Sequence, residues 1–139
     1  MAESDIHMKF VQLIADYIGT TFPQCNRTLL DISLPDSVSQ PSKVINGYIP
    51  DVWYSDCKSC VIGEAKTFSD VENKHTKNQI DSYIKELLLH QGAEKHLVLC
   101  TSIYRLTTLQ RIATDIRSAL GASEVKIHTI DDLQRSFVV

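Results

Sequence analysis

The sequence predicts an α/β domain, α+β by stricter bookkeeping: a mixed β-sheet flanked by helices, in the order α-β-β-β-α-β-α-β. Three observations carry this. Segments with apolar residues at helical spacing alternate with short strand-like runs. Three strand runs follow one another before the helical crossovers begin, as in a meander that leads into parallel strands. Residues 96–101, HLVLCT, are apolar on both parities, as in a central strand covered on both faces.

Each element has its own signal. In residues 5–18, Phe10, Leu13, Ile14, Tyr17 and Ile18 form one helical stripe, with Ser4 or Asp5 as cap and Gly19 as stop. RTLLDISL, residues 27–34, reads as the first strand, and PDSVSQPS is the clearest loop. Residues 43–54 and 60–67 read as the second and third strands, with DCKS as the hairpin loop between them. Ser69 and Glu72 match a capping box for a helix running to about residue 91 and ended by Gly92. Residues 104–119 are helical up to Gly121, residues 124–130 make the last strand, and a short tail follows. No repeat or composition break divides residues 1–139, so a single domain is expected.

Bulk properties narrow the function classes. The formal net charge of −3 weighs against a broad, nonspecific nucleic-acid binder. It leaves room for a local basic patch or an acidic metal site. No apolar run approaches the ~20 residues that span a bilayer, and MAESDIHMKF lacks a secretory apolar core. A cytoplasmic protein without a membrane partner is expected. Of four cysteines, Cys57 and Cys60 form a C-x2-C without the second pair that a zinc site needs, so ordinary reduced thiols are expected. A redox or zinc role for that pair is the weakest of the readings.

Three charges interrupt the apolar hairpin: Asp51, Glu64 and Lys66. Glu64 and Lys66 are two apart and leave the same face of a strand. A hairpin symmetric about residues 57–58 sets Asp51 directly opposite Glu64, with Cβ atoms ~5 Å apart. Opposed carboxylates destabilise a sheet unless a positive group lies between them, and a divalent cation suits oxygen ligands. The bland alternative is an ion pair on a solvated edge hairpin. Apolar neighbours on both parities, and Gly63, speak against it. On the next helix Glu72, His75, Gln79 and Tyr83 step by three and four residues, so one face begins polar before turning apolar at Ile80, Ile84 and Leu87.

Pro50-Asp51, twelve intervening residues, Glu64-Ala65-Lys66 and then Gln79-x3-Tyr83 together resemble the PD-(D/E)XK nuclease superfamily. The closest flavours are the small Holliday-junction-resolvase-like and VRR-type nucleases and the nuclease modules of recombination helicases. The resemblance implies a restriction-endonuclease-like fold and a metal-dependent nuclease that hydrolyses DNA phosphodiesters with Mg²⁺ or Mn²⁺. Asp51 and Glu64 would bind the metal, with the Ala65 carbonyl as a further ligand. Lys66 would act on the attacking water and the transition state, and Gln79 and Tyr83 would orient the lysine or touch DNA. An acid from the first helix is also implied. Asp16 is the candidate within it, Asp5 and Glu3 lie nearer its start, and Asp31 stands in the first strand. Glu72 and His75 are further accessory candidates. No iron–sulfur cluster is expected, because the cysteines do not follow the family arrangement.

Lys74 and Lys77 are the expected DNA contacts, with Lys58 nearby. Arg105, Arg111 and Arg117 are spaced by six and share no helical stripe. One small site cutting both strands calls for a homodimer or a larger complex. The alternative function is a catalytically inactive nuclease-fold subunit that binds nucleic acid or protein.

Overall fold

A computed structural model describes residues 3–22, 31–32, 43–56 and 58–139. The elements are α1 (Glu3–Thr21), β1 (Asp31–Ile32), β2 (Val52–Ser55), β3 (Ser59–Ala65), α2 (Lys74–Leu88), β4 (Glu94–Cys100), α3 (Leu106–Ala119), β5 (Val125–Ile130) and β6 (Ser136–Val138). They form an α+β domain around one mixed sheet in the order β1-β2-β3-β4-β5-β6. β3, β4 and β5 are parallel neighbours, and the outer pairs are antiparallel. The tail expected after the last strand holds β6, which adds an antiparallel edge and keeps Phe137 and Val138 exposed.

The sheet is covered on both faces, which is why its central strands lack alternation. One core joins Ile62, Leu97, Leu99 and Ile127 to Ile80, Tyr83, Ile84 and Leu87 of α2 and Leu109 and Ala113 of α3. The other joins Val52, Val61, Val98 and Ile130 to Phe10, Val11, Ile14 and Ile18 of α1. No helix among the described residues is long and apolar enough to cross a membrane.

Several boundaries differ from expectation. α1 runs through Gly19 to Thr21. The loop 35–42 and most of the first expected strand lie outside the described residues. The second expected strand is split: Asn46 and Gly47 adopt positive φ and close a turn bridged by Ile45 and Tyr48, so β2 begins only at Val52. Asn-Gly suits such a turn because both residues tolerate φ > 0. Ser69 and Glu72 form no capping box. Ser69 sits in a single 3-10 turn, Phe68–Asp70, and Asn73 caps α2 by accepting the His75 N–H.

Gly63 governs how α1 meets the sheet. A Cβ there would stand 2.6 Å from Ile14 Cγ2 and 3.1 Å from the Val52 Cβ, so the helix can approach only because the side chain is absent. Farther along α1, Tyr17 reaches a buried polar chain. The Glu94 carboxylate must accept, so His96 Nε2–H donates to it at 3.4 Å. His96 Nδ1 then accepts from His128 Nε2–H at 2.9 Å, and His128 Nδ1 accepts the Tyr17 hydroxyl at 2.7 Å. This direction requires both imidazoles neutral. Burial holds His96 below its usual range. Burial, with the charge of His96 second, pushes His128 down to about 4.

Two outcomes are expected. Gly63→Ala lowers stability by about 1–3 kcal/mol through overpacking against Ile14 and Val52, read from chemical denaturation midpoints. The neutral His96–His128 pair contributes stability above about pH 6.5, and this is lost as pH falls toward His128's folded value. Denaturation midpoints between pH 7 and pH 4 fall more steeply in wild type than in a His96→Gln/His128→Gln variant.

Candidate metal centre

β2 and β3 are joined by a tight loop whose Asp56 Oδ1 accepts the backbone N–H groups of Lys58 and Ser59, each at 2.7 Å. The ladder pairs Val52 with Gly63 and Ser55 with Cys60, so Asp51, just before β2, stands in register with Glu64. Ala65 N–H ties the two strands at this point by donating to Asp51 Oδ2 at 2.9 Å. The N–H and C=O of a strand residue leave on the same edge. The Ala65 carbonyl expected as a ligand therefore leaves on the β2 side of the strand as well.

Asp51 and Lys66 are each 7 % exposed and Glu64 is 4 % exposed. A solvated edge hairpin is thereby excluded. α2 closes over this end of the sheet. Tyr83 O–H donates to Glu64 Oε1 at 2.9 Å, and Lys66 Nζ donates to Gln79 Oε1 while lying 3.6 Å from Glu64 Oε2. Gln79 and Tyr83, four apart on one helix face, thus each hold one charged group.

α1 supplies a residue the sequence reading passed over. His7 Nε2–H donates to Asp51 Oδ2 at 3.2 Å. One donor atom each from His7, Asp51 and Glu64 lie within 4.8 Å of one another. Ligands across one cation stand about 4–5 Å apart for bonds of 2.0–2.6 Å. The signal was present: positions 7, 11, 14 and 18 continue the buried stripe of α1 by one turn toward its start.

Other expected residues lie elsewhere. Asp16 is nine residues beyond His7, half a turn off its face and about 13 Å along the axis. It lines a cavity of about 330 Å³ with Tyr17, Gln134 and Ser136. Asp31 stands opposite Trp53 in the ladder, and its side chain is outside the described residues. Asp5 is exposed, two residues before His7 and about 200° away round the helix, and the Glu3 side chain is again not described. Glu72 precedes α2, is exposed, and pairs with Arg105 at 2.8 Å. His75 is exposed and rests edge-on against Tyr48, which in turn meets Tyr83. Lys74 and Lys77 are exposed on the first turns of α2. Cys57 lies outside the described residues, whereas Cys60 is buried in β3 with its thiol pushed up to about 11 by burial.

The electrostatics fit a cation. Burial first, then the Asp51 charge, raises Glu64 well above the usual carboxylate range, and Lys66 offsets only part of this. His7 is raised, chiefly by its hydrogen bond to Asp51. Tyr83 is raised by burial and then by Glu64, so its phenol stays protonated and donates. Without metal, burial and the facing Asp51 charge both favour the protonated form of Glu64.

The sign of the pH effect follows. A carboxyl raised on folding contributes stability below about pH 4.3 that is lost as pH rises through its folded value. Glu64→Gln removes that loss and keeps an acceptor for Tyr83. In chelator, its melting temperature relative to wild type should climb steadily from pH 5 to pH 8; a flat difference would show that Glu64 titrates normally. No protein-family model, curated protein or solved structure matches the chain, so the centre is read from its own geometry.

Proposed function

We propose that the chain is a metal-dependent nuclease that hydrolyses DNA phosphodiester bonds on a restriction-endonuclease-like fold. One observation carries the reading: three donor atoms converge within 4.8 Å beside a buried lysine held by Gln79. Two carboxylates, an imidazole and the Ala65 carbonyl would hold the cation. Such a set favours Mn²⁺ over Mg²⁺, because the smaller, harder ion takes oxygen ligands and the imidazole nitrogen suits transition metals. The bound cation would supply a water of lowered pKa and neutralise charge on the phosphate.

The chain's own groups do the rest. Gln79 keeps Lys66 Nζ close to Glu64, where the ammonium stabilises negative charge that develops on the phosphate oxygens. Tyr83 fixes the Glu64 carboxylate through Oε1, which leaves Oε2 toward Lys66 and the cation. His7 gives up its proton when it serves as a ligand, so metal binding and protonation compete at that nitrogen. Burial lowers the local dielectric and strengthens each of these interactions.

Calorimetric titration with Mn²⁺ tests the metal step: saturable binding to wild type, lost in Asp51→Ala and weakened roughly 10-fold or more in His7→Ala. Lys66→Ala should retain metal but lose about 10²–10³-fold in cleavage rate, the scale for one preorganised charge-stabilising group. Activity would be assayed on single-stranded, duplex, flapped and four-way DNA. Absence of Mn²⁺ binding, or binding unchanged in Asp51→Ala, would instead favour the inactive nucleic-acid- or protein-binding subunit.

A further inference from the structure

The turn between β4 and α3 carries an aromatic side chain that neither the core nor the metal centre uses. Tyr104 is 84 % exposed. Its backbone is nonetheless fixed on both sides. Ile103 N–H donates to Asp132 Oδ1 at 3.0 Å, Arg105 N–H donates to the Ser102 carbonyl at 3.0 Å, and the Arg105 guanidinium pairs with Glu72 at 2.8 Å. An exposed ring on a fixed turn loses little conformational freedom when a flat ligand stacks on it.

The turn also lies at the right end of the sheet. Lys66 N–H donates to the Cys100 carbonyl at 2.9 Å, so the turn begins about 4.8 Å, one strand spacing, from the backbone of the site. Ligands of open sheets with parallel strands lie outside their carboxyl ends, where Lys66 and this turn both sit. Cations collect here despite their scattered sequence positions. Arg105, Arg111 and Lys77 all act on Glu72, and Lys74 follows it by two residues. The nearby acids are hydrogen-bonded by neutral groups and keep their charge: Asp132 accepts the Ile103 N–H, and Asp70 accepts from the side chains of Thr67 and Asn73, so charge alone is a weak source of affinity here.

Duplex binding through phosphates rests on roughly 6–10 ionic contacts, more than this short row of cations provides. Stacking of an unpaired base on an aromatic ring supplies affinity that charge does not, at about 5- to 150-fold per base. We propose that Tyr104 is a base-stacking contact, and that the substrate is DNA with a single-stranded segment leading from the metal centre across the β4–α3 turn. The nuclease reading enters here for the chemical class of the ligand.

The test is fluorescence anisotropy in chelator, with one labelled oligonucleotide presented single-stranded and as its duplex. Wild type should bind the single strand more tightly than the duplex. Tyr104→Ala should weaken single-strand binding about 5-fold or more while leaving duplex binding and the salt slope unchanged, and Tyr104→Phe should restore it. Lys77→Ala should instead flatten the salt slope by about one. An unchanged wild-type melting temperature in Tyr104→Ala confirms an intact fold. Duplex preference, failure to bind either DNA, unaltered binding in Tyr104→Ala, or equal losses on both DNAs would overturn the proposal. Chelator separates the two readings. Stacking-dependent binding with no cleavage after Mn²⁺ is added sinks the nuclease alone, and cleavage with binding indifferent to Tyr104 sinks the stacking contact alone.

Discussion

The burial of Glu64 opposite Asp51 is the constraint on which this end of the molecule depends. Two like charges in register on a covered sheet face are unfavourable, and a low dielectric increases their cost. Each surrounding group answers that cost. Ala65 N–H and His7 bond Asp51, Tyr83 bonds Glu64, and Lys66, steadied by Gln79, brings one positive charge. Burial first, and the Asp51 charge second, still raise Glu64, so these partners offset the cost only in part. The arrangement is one that a divalent cation would complete, and a purely structural ion pair would need only one of the two carboxylates.

The scaffold makes this strain tolerable. β3 is buried along its whole length between two cores, and its parallel partner β4 is buried from Lys95 onward. Such a strand cannot slip by one residue without exposing one core's side chains to the other face. Gly63 lets Ile14 press onto the strand one residue before Glu64, which brings the start of α1 to the same edge. A position that looks like a weakness in a strand thus lets the helix that carries His7 come close to the sheet.

Strand parity made the hairpin charges legible. A symmetric register needed only the loop's midpoint, and the ladder has that register. The polar start of α2 was readable from the same periodicity through Gln79 and Tyr83. What escaped depended on contacts between segments distant in sequence. His7 lies on the α1 stripe, whereas Asp16, the acid that the resemblance implies within this helix, is on the opposite side. Glu72 matched a capping box locally, yet Asn73 caps α2 and Glu72 turns to Arg105. Asn46-Gly47 was a turn signal inside an apolar run. The β6 pairing rests on backbone hydrogen bonds to β5 that its exposed side chains do not announce.

Histidines tie α1 to the sheet at two points, and their proton preferences are opposed. At the start, His7 gains a carboxylate partner, so its contribution is full below about pH 6.5 and fades as pH rises through its raised folded value. Toward the end, Tyr17 holds His128 in a chain whose direction needs both imidazoles neutral, and burial favours that neutral form, so its contribution is full above about pH 6.5 and fades toward acid. The metal-free helix is therefore seated best in a window near neutrality. A cation that took the place of the His7 proton would widen that window on its alkaline side alone, because nothing at the His128 end would change.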